Sequence, residues 1–307
     1  MSLRSLVDVP APAKLNLFLH VVGRRDDGYH LLQSLFALID WADTLHFERR
    51  DDGALTRRDL GPALPPEDLT LRAARLLKSK SGARWGADIS VLKSVPWGAG
   101  MGGGSSDAAT TLLALNRLWG LNWPRERLMA LGLDLGADVP FFIGGDNAFV
   151  EGVGEKLTPV SLSAQRYAVL KPPAALDTGA VFASPELVRS PDAAIISGLL
   201  ANKAQLAAWT ADKARNDLQA AAQALCPEVA QAAQWLGRRF GNSRMTGSGS
   251  AVFARVGDEP ERTGAEFAGL ATAPQAAWPA ENEIPPGWVG RSCQGLRQHP
   301  LRGWASD

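Results

Sequence analysis

The segment Pro96-Trp97-Gly98-Ala99-Gly100-Met101-Gly102-Gly103-Gly104-Ser105-Ser106 carries five glycines and ends in two serines. Glycine lets a backbone turn sharply and approach a ligand closely. A strand is expected before this window and a helix after it. Free amides and the positive end of a helix dipole then face the loop, which suits phosphate. Ser105 and Ser106 can add hydroxyls toward phosphate or magnesium. Asp107 falls in the first helical turn, where a carboxylate also serves as a plain cap. A flexible loop or a glycine-lined packing contact is the ordinary alternative. Two familiar phosphate loops fit poorly. GxxxxGK[ST] needs lysine where Gly104 stands, although Gly98 and Gly103 have the right spacing. Gly98, Gly100 and Gly103 match GxGxxG, but that loop needs an acidic residue about 20 residues on, at the end of a second strand. Trp119 to Glu126 reads instead as a turn entering a helix.

The elements that must hold this loop can be read from periodicity. Val9 to Val22 reads as strand, with Lys14, Asn16, Phe18 and His20 alternating against Leu15, Leu17, Leu19 and Val21. Residues two apart share a face, so the leucines should meet the core while Lys14 and Asn16 point together the other way. Asp26-Asp27-Gly28 signals a turn, and Leu31 to Asp40 reads as strand. Asp51 to Pro66, rich in charge, Gly and Pro, reads as a surface loop. Leu69 to Lys80 and Ser106 to Trp119 show helical spacing, and Ala87 to Val95 is a strand candidate. Pro124 to Leu135 reads as a helix ended by Gly136. Phe141 to Ile143 and Ala148 to Val150 read as short strands, with a hairpin turn at Gly152-Val153-Gly154. A new strand begins at Tyr167. Ala204 to Ala233 is alanine-rich with helical spacing, and Glu228 to Phe240 is the clearest helix of the second half. Met245 to Val256 holds a second glycine turn and the strand Ala251 to Val256.

The chain of 307 residues carries 32 basic and 32 acidic side chains and so no formal net charge. At roughly 100–200 residues per domain it is long enough for two. A nucleic-acid binder ordinarily shows a basic excess or a basic face, and the scattered arginine pairs here make neither. Two cysteines, Cys226 and Cys293, are too few for a disulfide scaffold, and the four histidines lack metal-ligand spacing. No leader segment and no membrane-length apolar run is evident. The expectation is a cytoplasmic protein, without nucleic-acid or membrane partners, acting as a monomer or homodimer on a small molecule.

The glycine window closely resembles the glycine-serine loop of the GHMP kinases. Three further segments resemble that family, in the expected order: Pro12 to Ser34 (PAKLNLFLHVVGRRDDGYHLLQS), Leu135 to Gly145 (LGADVPFFIGG) and Arg244 to Ala254 (RMTGSGSAVFA). The resemblance implies an α+β fold of two domains. Residues 1–163 would form a domain like ribosomal protein S5 domain 2, and residues 164–307 a ferredoxin-like domain. It implies ATP and Mg2+ as the phosphoryl donor and its metal, with Pro96 to Ser106 as the ATP loop. The Gly28-Tyr29-His30 segment resembles the branch that phosphorylates the 2-hydroxyl of a cytidine diphosphate-linked methylerythritol, on the non-mevalonate route to isoprenoid precursors. The alternatives are another small-alcohol kinase of the family, of homoserine or mevalonate type, and a dinucleotide-dependent oxidoreductase.

Residue by residue, the family motif puts its catalytic lysine at Lys14 and its catalytic aspartate at Asp138. On its own, a strand lysine is usually a solvated edge charge, and an aspartate two residues before a proline is usually a turn residue. The resemblance shifts both toward catalysis. It puts substrate contacts at Asn16, Tyr29, His30, Asp138, Thr178, Phe182, Gly247, Ser248 and Gly249. Tyr29 and Phe182 would stack on the cytosine and His30 would read its polar edge. Metal ligation is assigned no further than Ser105 or Ser106. Trp97 replaces the small residues common in this loop, to pack on adenine or to cap the loop.

Overall fold

A computed structural model describes residues 3–163, 165–189, 206, 209–210, 213–256 and 283–307. Two long strands, β1 (Ser5–Arg24) and β2 (His30–Arg50), pair antiparallel and meet at the Asp26-Asp27-Gly28 turn. β2 is the hub of a six-stranded sheet with β3 (Leu55–Asp59), β4 (Gly86–Leu92), β5 (Ala148–Gly152) and β6 (Lys156–Pro159), in the order β3-β4-β2-β5-β6 with β1 on β2. Helices α1 (Leu69–Ser81), α2 (Gly103–Leu118), α3 (Arg125–Leu133) and α4 (Val139–Gly144) share a core with this sheet. Phe141, Phe142, Leu112 and Leu77 are buried in it. Losing one such leucine or phenylalanine to alanine costs about 2–5 kcal/mol.

β1 departs from simple alternation. Its pairing with β2 shifts register between Pro12 and Lys14 and again between Asn16 and Leu19. Each irregularity re-aims the side chains that follow. Phe18 therefore packs with Leu15 and Leu17, whereas Leu19 and Val21 join a different core. Lys14 and Asn16 do point together, and both are buried.

Two other expectations are corrected. The polar stretch Asp51 to Pro66 contains β3, paired parallel to β4. It is an edge strand, where charge is tolerated and blunts further pairing; Arg57 holds Asp59 at 2.7 Å and Asp68 at 2.6 Å. Phe141 to Ile143 is not a strand but the middle of α4. A short apolar run has no readable period. The ends decide it: Pro140 sits in the first turn, and Gly145, at φ 81°, closes the helix in the left-handed region.

A second, antiparallel sheet has the order β10-β7-β9-β8, from β7 (Arg166–Lys171), β8 (Arg244–Met245), β9 (Val252–Val256) and β10 (Val289–Gln294). Helices α5 (Thr178–Ala183), α6 (Gln219–Leu225) and α7 (Pro227–Phe240) accompany it. The alanine-rich stretch Ala204 to Ala233 lies partly outside the described residues; its described part breaks at Cys226, between α6 and α7. After β10 the chain returns to the first sheet. Leu296 N–H donates to the Leu38 carbonyl at 2.8 Å, and Leu301 and Ala305 enter the core beneath α2 and α4.

Candidate active site

The glycine loop joins β4 to α2. Ala99 and Met101 turn into the core between the two sheets and anchor it. Gly98, Gly100 and Gly102 have φ of 61°, 71° and 70°, which other residues rarely adopt. Gly100 has a second reason to be glycine: a Cβ there would lie 2.2 Å from the Thr246 carbonyl oxygen. The Ser250 and Ala251 amides donate to the Gly98 and Ala99 carbonyls at 3.1 and 3.2 Å. The two glycine-rich segments, about 150 residues apart in sequence, are thus one backbone-to-backbone unit.

Over the loop lies an open pocket of about 590 Å³, lined by every residue from Pro96 to Ser105 and by Thr178. Trp97 lies at the pocket with its side chain exposed. Ser105 is half-buried at the pocket, whereas Ser106 is fully buried and gives its hydroxyl to the Pro12 carbonyl at 2.7 Å. Of the two serines, Ser105 is the one that lines the pocket. α2 starts at Gly103, earlier than its apolar pattern suggested, because Gly102 turns the chain and Gly103 and Gly104 join the first turn.

Lys14 enters beside the loop. Its amide donates to the Met101 carbonyl at 3.0 Å. Its ammonium donates to Asn16 Oδ1 at 2.6 Å, lies 3.5 Å from Asp138 Oδ2, and sits over the Phe36 ring. Burial pushes the Lys14 pKa down, and the neighbouring Asp138 partly restores it. Asp138 precedes α4 and keeps about a third of its side chain exposed. Asn16 is held by Thr246, whose hydroxyl accepts the Asn16 amide at 2.9 Å, and by Ser34 at 2.9 Å.

At the other end, His30 stacks on Phe182, with ring centroids 5.0 Å apart and planes 19° apart. His30 Nε2 is buried without a partner among the described residues, and burial with nearby Arg24 and Arg189 lowers the ring's pKa. Tyr29 is 65% exposed and stands apart from that stack. Between the ends, the Thr178 and Ser248 hydroxyls share a hydrogen bond of 2.8 Å.

Two groups escaped sequence reasoning. Lys93, at the mouth of the loop, bridges Asp43 and Asp107 Oδ2, the latter at 2.6 Å. Asp43 also accepts the Ser94 and Val95 amides at 2.6 and 2.8 Å, so it fixes the strand-to-loop corner. Burial raises the Asp107 pKa to about 8 against the pull of Lys93. The other is Asn216, buried behind the second glycine turn. Its Arg-Asn-Asp context reads locally as a solvated turn, and only the tertiary fold reveals its neighbours.

Residues 68–146 match the N-terminal domain of GHMP kinases, and residues 194–268 match the GHMP kinase C-terminal domain. A 4-diphosphocytidyl-2-C-methyl-D-erythritol kinase of Methylibium petroleiphilum is 61% identical, over 99% of this chain and 100% of its own length. One from Variovorax paradoxus is 53% identical at the same coverage. A crystal structure of 4-(cytidine 5'-diphospho)-2C-methyl-D-erythritol kinase superposes with a TM-score of 0.72 at 33% identity, covering 94% of this chain and 98% of that one. A homoserine kinase from Cytophaga hutchinsonii, 17% identical, shares the fold with a TM-score of 0.65, covering 96% of this chain and 95% of its own. With relatives this similar along its whole length, the chain belongs to the 4-diphosphocytidyl-2-C-methyl-D-erythritol kinases of the GHMP kinase family.

Proposed function

We propose that this protein transfers the γ-phosphoryl group of ATP to the 2-hydroxyl of 4-diphosphocytidyl-2-C-methyl-D-erythritol, in the non-mevalonate route to isoprenoid precursors. The observation that carries the mechanism is the Lys14–Asp138 contact of 3.5 Å beside the glycine loop. Phosphoryl transfer depends chiefly on positioning and on stabilising charge. Asp138 takes the hydroxyl proton, the freed oxygen bonds to the γ-phosphorus, and the bond to the bridging oxygen breaks to release ADP. The Lys14 cation favours the developing alkoxide, steadies charge on the phosphoryl group and orients Asp138. Asn16 holds the Lys14 ammonium in place and borders the alcohol. The loop amides, the N-terminus of α2 and Ser105 receive the ATP phosphates. A bound Mg2+ would supply charge neutralisation there, and the Ser105 hydroxyl is the side chain that would hold it.

The cytosine end is assigned to Tyr29, His30 and Phe182. The His30–Phe182 stack shows that a flat ring fits against Phe182. The His30 ring swings off that face to admit the base and turns its unpaired nitrogen to the base edge, and exposed Tyr29 closes over the other side. Thr178, Gly247, Ser248 and Gly249 receive the diphosphate between the two ends.

Asp138→Ala is expected to abolish ADP release in a coupled assay with the cytidyl substrate, while ATP still binds and the melting temperature is kept. Near-normal turnover would remove Asp138 from the mechanism. The same assay with homoserine or mevalonate tests the neighbouring specificities; equal activity on an acceptor lacking cytosine would remove the roles of Tyr29, His30 and Phe182.

A further inference from the structure

Asn216 lies buried between β1 and the Thr246–Ser250 turn. The segment around it is fastened to β1 on both sides. Leu19 N–H donates to the Arg215 carbonyl at 3.0 Å, Asp217 N–H donates to the Leu19 carbonyl at 2.8 Å, and Val21 N–H donates to the Asp217 carboxylate at 2.9 Å. From this fixed base the Asn216 side-chain amide donates to two carbonyls of the turn, Met245 at 2.9 Å and Gly247 at 2.8 Å. Its oxygen accepts the Leu218 amide at 2.9 Å. Both amide hydrogens and the oxygen are therefore engaged.

The Gly247–Ser248 peptide is trans. In a trans peptide the carbonyl and the N–H point in opposite directions. Drawing the Gly247 carbonyl inward to Asn216 thus turns the Ser248 N–H outward. No acceptor among the described residues pairs with that N–H, whereas the next amide, Gly249, is used within the turn on the Thr246 carbonyl at 3.0 Å. Ser248 is half-exposed, and its hydroxyl touches Thr178, which lines the open pocket. The turn packs directly on the glycine loop: a Cβ at Gly247 would lie 2.6 Å from the Gly100 carbonyl oxygen.

We infer that Asn216 is a positioning residue for substrate recognition: by holding the Gly247 carbonyl it aims the Ser248 amide at an anionic group, the diphosphate of the acceptor substrate. The inference rests on the function proposed above and gives it a group that touches no substrate itself. Once the donor behind the Gly247 carbonyl is lost, the peptide is free to rotate and present a carbonyl oxygen to the anion instead.

The test uses the full-length enzyme with Asn216→Asp, which keeps the shape and the acceptor for Leu218 N–H, and Asn216→Ser, which adds no charge. CDP and cytidine serve as calorimetric probes beside kinetics with the cytidyl substrate. The expected result in both variants is a rise of roughly tenfold or more in the Kd for CDP and the KM for the cytidyl substrate. The Kd for cytidine and the KM for ATP stay within about twofold, because neither ligand places an anion at this peptide. Equal weakening of CDP and cytidine would show a merely structural role and overturn the inference. So would loss confined to the charged Asp variant, loss of ATP affinity instead, or no change in folded variants. If Asn216→Asp does not fold, Asn216→Ser decides alone. Failure of the functional reading is separate: the unmodified enzyme would then not turn over the cytidyl substrate at all.

Discussion

The two ends of the proposed acceptor site are built in opposite ways. At the Lys14–Asp138 end every group is fixed by the frame. Lys14 is buried on β1, its amide tied to Met101 and its ammonium to Asn16, and Asp138 stands at the start of α4. The far end of α4 is gripped in turn. Arg125 donates to the Ile143 carbonyl at 2.7 Å, and also to the Ala305 carbonyl and the Asp307 carboxylate of the C-terminal segment, each at 2.7 Å. At the Tyr29–Phe182 end the contacts are ring faces on a turn and a short helix, and Tyr29 is mostly exposed. Chemistry needs groups held to fractions of an ångström. A base needs two flat surfaces that can close on it. The contrast predicts that mutations at the first end act on kcat and at the second on KM.

The largest effect is expected for Lys14→Met. In the proposed mechanism this cation faces developing charge, so its removal should lower turnover roughly 10²–10³-fold, with little change in the KM for either substrate. The fold should lose only a little: burial already penalises the charged ammonium, as its lowered pKa shows, the Asp138 carboxylate left behind reaches solvent, and Asn16 Oδ1 keeps the Thr246 hydroxyl as a donor. Stopped-flow turnover with thermal melts checks both halves. A large fall in melting temperature would mean that Lys14 is a structural ion-pair partner.

A smaller and opposite effect is expected for Phe182→Ala. Stacking on an aromatic ring is worth about 1–3 kcal/mol per base, so the KM for the cytidyl substrate should rise roughly tenfold. Phe182 is only half-buried, and the fold should tolerate its loss. Turnover at saturation should stay near normal. If kcat falls and KM does not, the two ends are not separable.

What the sequence made legible follows the range of the signals. The loop, α2 and the long strand β1 announce themselves through glycine spacing and apolar period. Their meeting with the second glycine turn leaves no local signal, since nothing near Gly100 in sequence ties it to Thr246. The irregularities that re-aim β1 at Asn16 and Phe18 leave no mark in its alternation. α4 reads as a strand in the sequence because six residues are too few to show a helical period. Lys93 and Arg125 look like ordinary surface cations, and their partners lie 50 and 182 residues away at Asp43 and Asp307. Long-range pairing of charged groups is invisible to any window of neighbouring residues.

The smallest effect at neutral pH is expected at His299, and it tests how firmly the chemistry end is held. His299 N–H donates to the carbonyl of Gly145, the residue that closes α4, at 2.7 Å, and its ring nitrogen Nδ1 accepts the Leu301 amide at 3.0 Å. Its other nitrogen is buried without a partner among the described residues. Burial, helped by the Arg125 charge, lowers its pKa to about 4. In the unfolded chain the ring titrates near 6.5. Below that pH the unfolded state binds a proton that the folded state refuses, so stability falls as pH falls. The loss begins near pH 6.5 and is complete near pH 4, at roughly 3 kcal/mol. The depressed Asp307 carboxyl, at about 2 against 3.8, acts only beneath this window. His299→Asn keeps an acceptor for Leu301 and cannot take up the proton. Denaturant unfolding of both proteins from pH 7 to pH 4 should show the parent's advantage over the variant shrinking by about that amount. A constant gap would mean that the ring gains solvent, or a partner for its proton, before the fold gives way, and that the grip on α4 is looser than the contacts around Gly145 imply.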